Sequence, residues 1–326
     1  MTSINRFLIL GTLLALPLLP ACQSDAGLVI CEDGSTPNPN PGAPTTIKDV
    51  LTQLGAPTQT FTYDPSRQNQ FTGAKGTVIT IPAGAFQYRT GQPVTVPVQL
   101  EVREIFGKAD MILSNMPTVS GGRLLESAGE IYLRPTQDST LRLSPGTRIQ
   151  MQTQNPPNLA SRDSMRLFVA PVPGSNSPTC FTWELNFDPE SSLSPTPTGY
   201  QISISKALYD ARIGWFNCDR FYGIPSPQPI IVDVPGTDID PAKNTMVFAA
   251  FRAFNGSLRL CDFKAPGTFQ INGAPAGANV SVVVIRTVEG KLYYGRQDGV
   301  VAAGTRFSPV LKETTAADLV ADLNTL

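Results

Sequence analysis

Between residues 94 and 102 the chain alternates with a period of two. Val94, Val96, Val98, Leu100 and Val102 fall on one side, and Thr95, Pro97, Gln99, Glu101 and Arg103 on the other. This spacing belongs to a strand with one buried and one wet face, not to a helix. Pro97 lacks the N–H that a ladder needs, so the strand is expected at a sheet edge or a bulge. Further strands are expected at residues 76–81, 131–134, 140–143, 148–151 and 166–169, separated by turn signals such as Ser144-Pro145-Gly146. Many short strands at this spacing predict a sandwich rather than βαβ units.

A second β-set is expected at residues 200–205, 230–234, 245–254, 257–261, 268–271, 279–287 and 291–294, with a hairpin across Glu289-Gly290. Two helices frame the strands. Ile47, Val50, Leu51 and Leu54 recur at helical spacing, with Thr46 as cap, Asp49 in the first turn, and Gly55 and Pro57 as stop. Residues 315–326 repeat the pattern through Leu319, Val320, Leu323 and Leu326. The expected fold is mostly β: two antiparallel β-sandwich-like domains with a short N-terminal helix and a C-terminal helix. The Ser/Pro-rich residues 191–198 divide residues 46–190 from residues 199–326; the alternative is a loop inside one larger domain.

The amino terminus carries an address. Arg6 precedes an apolar run over residues 7–19, broken by Gly11 and Pro17. The run is short of the roughly 20 residues of a spanning helix, and its flanks suit a signal peptide. It ends Leu19-Pro20-Ala21-Cys22, which resembles a bacterial lipobox, with Pro20 where Ala, Ser or Thr is usual. Residues 1–21 then form the signal peptide, and Cys22 becomes the lipidated N-terminus. The alternative is an ordinary secretory signal with a coincidental Cys. Residues 22–45 follow as a disordered tether, since residues 32–45 hold Pro, Asn, Gly and Ser without an apolar period. Asp25 is not adjacent to Cys22, so the usual inner-membrane retention signal is lacking. The expected location is the cell envelope, at the outer membrane, on either face, with the lipid as the attachment.

Composition narrows the chemistry. Lys+Arg is 25 and Asp+Glu 26, a formal net charge of -1, so nothing draws the chain to nucleic acid. The sequence has no His, which removes Ser-His-Asp and Cys-His catalysis and every His-ligated metal. Beyond Cys22 there remain Cys31 in the tether and Cys180, Cys218 and Cys261, with no CxxC. Four such cysteines in an oxidising compartment allow three complete pairings, and a Cys218–Cys261 disulfide is expected, both lying in β-rich stretches of one half. No cofactor or metal site is expected.

Residues 214–222 read Gly-Trp-Phe-Asn-Cys-Asp-Arg-Phe-Tyr. Trp215, Phe221 and Tyr222 could make a binding platform on which Asp219 and Arg220 orient a polar ligand. The competing interpretation is a core Trp beside a buried Cys, the commoner fate of both residue types. Asp233, Asp238 and Asp240 surround Pro235-Gly236, where an Asx-rich turn competes with a calcium loop. Glu101, Glu104, Glu126 and Glu130 could supply the paired carboxylates of a glycoside hydrolase; the alternative is solvated strand carboxylates. Ser120-Gly121-Gly122 and Gly273-Ala274-Pro275-Ala276-Gly277 fit hairpin turns better than phosphate loops.

The strings GTVITIPAGAF at residues 76–86, VTVPVQLEVREIFGKADMILSNMPT at 94–118, LLESAGEIYLRP at 124–135 and GWFNCDRF at 214–221 resemble one known group. It is the β-sandwich domain shared by zonula-occludens proteins, netrin receptors and ankyrins, as found in secreted Bacteroidota lipoproteins of unknown function. The resemblance covers roughly residues 46–294 and implies a scaffold or interaction module. Some relatives cleave themselves at His-Phe-Ser; here Arg306-Phe307-Ser308 lacks the base, so that activity is not implied. The expected function is a membrane-anchored, non-enzymatic module for binding, adhesion or envelope scaffolding, its partners being envelope proteins or glycans. The alternatives are a glycan-binding lipoprotein using the aromatic platform and, less favoured, a His-free carboxylate hydrolase.

Overall fold

The computed structural model describes residues 42–136, 140–171, 180–224 and 226–326; the signal peptide, Cys22, Cys31 and the tether up to residue 41 lie outside the described residues. The chain opens with α1 (Ile47–Leu54), β1 (Gln59–Tyr63), β2 (Asn69–Thr72), β3 (Val78–Ile81), β4 (Phe86–Tyr88) and β5 (Val98–Ile105). Then come α2 (Lys108–Leu113), β6 (Val119–Ser120), β7 (Arg123–Pro135), β8 (Leu141–Leu143), β9 (Ile149–Gln154), β10 (Arg166–Pro171), β11 (Glu184–Leu185) and β12 (Ser192–Pro195). The middle of the chain forms β13 (Gly199–Ile204), α3 (Lys206–Asp210), β14 (Ile213–Phe221), β15 (Pro227–Asp233), β16 (Thr245–Phe251) and β17 (Ser257–Arg259). It closes with β18 (Asp262–Lys264), β19 (Thr268–Pro275), β20 (Asn279–Val288), β21 (Lys291–Val300), β22 (Arg306–Phe307), β23 (Lys312–Glu313) and α4 (Ala316–Leu323). The fold is mostly β, built from several antiparallel sheets with short helices towards both ends.

The first sandwich faces a sheet of order β1-β5-β7-β14-β10-β11 against one of order β12-β13-β9-β3-β2. Tyr63, Ile79, Leu100, Ile131, Met151, Ile202 and Phe216 meet between them in one buried core. The second sandwich faces β18-β19-β15-β22 against β17-β16-β20-β21-β23. Ile230, Val247, Phe251, Phe269, Val282 and Val284 fill its core, and Leu124 of β7 reaches into it. The helices cover the other face of β16 and β20: α1, α2 and α4 bring Val50, Leu51, Ile112, Leu319 and Leu323 onto Phe248, Val283 and Ile285. β16 and β20 are therefore buried on both faces, which is why TMVFAAF and NVSVVVIRTV read as nearly continuous apolar runs.

Local signals explain the termini of these elements. Thr46 and Asp49 form a reciprocal capping box at the start of α1. Thr315 caps α4 by accepting from the Asp318 N–H. Glu289 and Gly290, both at positive φ, turn the β20–β21 hairpin. Gly121 and Gly122, likewise at positive φ, join β6 to β7; of the second cluster, Gly273-Ala274-Pro275 end β19 and only Ala276-Gly277 make the turn into β20.

Three expectations are corrected. The strand at residues 94–102 begins only at Val98, and Val96 is 55% exposed on a bend. Pro97 ends the pattern because it cannot donate to the ladder; the strand that follows is internal, between β1 and β5's other neighbour β7. Residues 191–198 are not a border between domains. β12 and β13 pair with each other, β13 pairs with β9, and β14 pairs with β7 and β10, so the first sandwich runs on to Phe221.

The third correction concerns the disulfide. Cys180 bridges Cys261, with Cα atoms 6.0 Å apart, and Cys218 is a free, buried thiol. Cys218 lies in the core of the first sandwich, whereas Cys261 follows β17 in the second. The bridge spans 81 residues of sequence and staples residue 180, ahead of β11, to the second sandwich. Non-reducing peptide mapping should link the Cys180 and Cys261 peptides, with Cys218 alkylated only after unfolding; a Cys218–Cys261 link contradicts this assignment. Removing the bridge by Cys261→Ser should lower stability by about 2–4 kcal/mol in denaturant titration.

Candidate functional site

The strand β14 carries the densest cluster of chemically informative residues, and the fold places it between β7 and β10. Trp215 is 2% exposed and packs with Phe168, Trp183 and Met111 on the covered outer face of its sheet. Phe221 rests partly buried on the same cluster, its ring 5.3 Å from that of Phe168, with the Arg123 guanidinium 3.6 Å above it. Tyr222 stacks on Phe254 with ring centroids 3.9 Å apart and joins the core of the second sandwich. Arg220 donates to Glu126, its Nη2 lying 2.6 Å from Oε2. Asp219 is fully buried. The five residues thus face different neighbours, and the expected open platform of Trp215, Asp219, Arg220, Phe221 and Tyr222 is not formed. Large aromatic faces bring most stabilisation where two covered layers meet, and that is where these rings lie.

The pairing of β14 with β7 creates a buried polar seam instead. Asn217 opposes Glu130 and Asp219 opposes Ser127, with one more residue on β7 than on β14 between these pairs, a bulge. Gly129 sits in that bulge at φ +136°, where a Cβ would stand 2.3 Å from the Phe106 ring. Only glycine fits so close an approach. Ser127 Oγ donates to Asn217 Oδ1 at 3.0 Å, and Asn217 Nδ2 donates to Asp219 Oδ2 at 2.7 Å. From the second sandwich, Asn255 Nδ2 donates to the carbonyls of Phe106 and Ser127, both at 2.8 Å.

Burial in the seam favours the protonated form of its acids. Burial pushes Glu130 far above the usual carboxylate range, and the nearby charges of Asp219 and Asp110 push the same way. Asp219 is also raised by burial, against the lowering effect of the neighbouring Ser127 and Asn217 side chains, with Glu126 adding repulsion. An ionised carboxylate without paired charge is too costly to bury, so neutralisation is the physical outcome.

The other candidate acids are held in separate contacts. Glu104 is 1% exposed and accepts from Gln59 Nε2 at 2.8 Å, Lys75 N at 2.9 Å and Thr77 N at 3.0 Å. It fastens the β2–β3 turn of one sheet to β5 of the facing sheet. Gly73 permits this approach, since a Cβ there would lie 2.3 Å from the carboxylate. Burial pushes Glu104 upward, yet the three donors outweigh it and hold the group below its ordinary range. Glu126 accepts from Arg220 and from the Ala160 N–H, and Glu101 is half-buried on β5. Asp233 pairs with Arg306 and Thr268, Asp240 accepts from Ala242 N, and the Asp238 carbonyl accepts from Asn244. These are the contacts of an Asx-rich turn, and the three aspartates do not converge on one point.

A cleft of about 540 Å³ lies beside the seam. Lys75, Phe106, Lys108, Asp110, Asn155 and Asn158 line it, with Lys75 and Asp110 ion-paired across its wall. Phe106 faces the cleft on one side and Gly129 on the other. Lys108 Nζ donates to the Phe251 carbonyl at 2.6 Å; burial, then the charge of Arg252, push its ammonium below the ordinary range. Sequence reasoning missed this group because α2 and the residues before it are joined by two loops distant in sequence, at residues 75 and 154–158. The Asn-Cys-Asp interruption of an otherwise apolar strand was the visible sign of the seam. Nothing comparable marked Asn255 or the amides of residues 154–158.

Among the described residues no group of three or more Cys, Asp or Glu is placed to hold a metal ion. The chain matches no protein-family model, no curated protein and no solved structure.

Two glutamates should respond to pH in opposite directions. Glu130 has a raised folded pKa, so its contribution is complete below the unfolded value of about 4 and declines as pH rises through the folded one. Glu130→Gln keeps the shape and removes the titration; its Tm should exceed the parent's at pH 8 and match it near pH 4. An unchanged difference across that range contradicts a protonated Glu130. Glu104 has a lowered folded pKa, so its contribution is complete above about pH 4 and is lost as pH falls through the folded value. Glu104→Gln should cost about 2–3 kcal/mol at pH 7 by urea titration, converging on the parent in acid.

Proposed function

We propose that this chain is a lipid-anchored module of the cell envelope, held by Cys22 and working by binding rather than by catalysis. The observation that carries the proposal is Leu19-Pro20-Ala21-Cys22 directly behind an apolar run with Arg6 before it. A thioether-linked diacylglycerol with a further acyl chain would give stable attachment, at roughly 0.8 kcal/mol per buried methylene. Among the described residues no helix is long and apolar enough to cross a membrane.

Other features support the same reading. The resemblance to the β-sandwich of zonula-occludens proteins, netrin receptors and ankyrins, as carried by Bacteroidota lipoproteins, favours an interaction module. The Cys180–Cys261 bridge suits an oxidising compartment such as the space outside the inner membrane. The glutamates weighed for carboxylate hydrolysis sit in distinct contacts: Glu104 as a bolt between sheets, Glu126 in an ion pair, Glu130 fully buried. A glycosidase needs its two carboxyls on either side of an accessible bond.

Metabolic labelling with an alkynyl palmitate tests the anchor. The native chain should take up label and sediment with outer-membrane vesicles. Cys22→Ser should abolish labelling and leave the protein soluble; continued labelling of that variant overturns the proposal.

A further inference from the structure

Three sheet faces of the molecule are accounted for. The outer face of β14 and β10 is covered by Trp183 and by the segment bearing Met111 and Met116, and the outer face of β16 and β20 by the helices. The outer face of β15 and β19 carries charges, with Asp233 paired to Arg306 and with Asp262 and Lys264 on the neighbouring β18. The outer face of β12-β13-β9-β3-β2 is different: among the described residues most of it is exposed or half-exposed and, along its central rows, uncharged.

The strand register writes out those rows. One runs Gln70, Thr80, Gln150, Ser203, Ser192 across the five strands. The next runs Thr72, Val78, Gln152, Gln201, Ser194. Their neighbours along each strand, such as Ile79, Ile81, Ile149, Met151 and Ile202, point into the core, so the rows lie on the outer side by the period of two, with Thr80, Gln150 and Val78 half-buried and Ser203 covered. Gln70, Gln152, Gln201, Ser192 and Ser194 are exposed, and Gln201 Nε2 donates to Gln150 Oε1 across the strands. Neither row holds a charged or an aromatic side chain. The sheet forms a trough of about 450 Å³ here, floored by Thr80, Gln150, Gln152 and Gln201 and closed at one rim by Arg148, which donates to the Glu190 carbonyl.

From this face we infer a binding site for a neutral polysaccharide lying across the strands of the first sandwich. Charge complementarity selects the occupant. A nucleic acid or an acidic glycan needs Lys and Arg along its track, and the rows supply none. A protein partner needs an apolar, aromatic-rich centre, and the rows supply only Val78. What they do supply is amide and hydroxyl groups repeating at the roughly 4.8 Å spacing of paired strands. Each amide offers two donors and an acceptor, and each hydroxyl offers both functions, which matches the mixed donor and acceptor groups of sugar hydroxyls. The inference deepens the proposed binding function and rests on it for the setting alone; the surface itself is independent of Cys22.

Affinity electrophoresis of the full chain in detergent tests it, using gels cast with hydroxyethylcellulose, xylan, mannan or dextran, and polygalacturonate as the acidic counterpart. At least one neutral polymer should retard the protein. Retardation should weaken at least tenfold in the triple variant Gln150→Ala, Gln152→Ala, Gln201→Ala. It should weaken similarly in Gln201→Lys, which adds one exposed charge and leaves the core untouched, at an unchanged Tm. No retardation by any neutral polymer overturns the inference, as does equal retardation of both variants, or retardation by polygalacturonate alone. Failure here with Cys22 labelling intact removes the ligand and leaves the anchor standing.

Discussion

The antiparallel pairing of β7 with β14 organises the molecule. β7 is 13 residues long and takes part in more than one core: Leu124 belongs to the second sandwich, Leu125 to the covered outer layer, and Ala128, Ile131 and Leu133 to the first sandwich. A strand that enters several cores is buried on both faces, so its polar groups have to find partners inside the protein. Ser127, Asn217 and Asp219 do this with one another, and Asn255 adds its amide from the second sandwich. Burial pushes Glu130 and Asp219 towards the neutral form. The network is only partly matched, since both Glu130 carboxyl oxygens, Asp219 Oδ1 and Asn255 Oδ1 lack a hydrogen-bond partner among the described residues; the bonds that are made still tie the register of the two strands together.

That arrangement determines which surfaces remain open. The seam brings the second sandwich and its helices against the outer face of the seven-stranded sheet. The aromatic residues of β14 are then consumed in packing. Among the described residues no helix or sheet layer lies over the glutamine-rich sheet on the far side, and the polymer-binding surface inferred for it follows from what these elements leave exposed. Anchor and surface are separate proposals. One lies in the leader segment and the other in the first sandwich.

Much of the local structure was legible because it depends on short-range chemistry. Thr46 and Asp49 cap α1, Thr315 caps α4, and Glu289-Gly290 turns a hairpin, each through groups within a few residues of one another. Strand periodicity was legible where one face is wet, as in β9, and less so where both faces are covered, as in β14. Cys218 and Cys261 both lie in β-rich stretches of one half of the chain, yet Cys218 is sealed in the core of the first sandwich while Cys261 is half-buried after β17 of the second. Residues 191–198 looked like a linker because Ser and Pro also suit an edge strand, and β12 is one. The aromatic cluster at residues 214–222 pointed to a real centre of the structure. Its role is to join layers, and composition alone does not distinguish a covered aromatic from an exposed one.

If the β7–β14 seam unites the sandwiches, they should open together. Native-state hydrogen exchange in increasing urea measures this most directly. The account predicts that amides of Ile131 and Leu133 in β7 and of Val282 and Val284 in β20 converge on one opening free energy and one urea dependence. Protection persisting in β20 after β7 has opened, with a smaller urea dependence for β7, would contradict it.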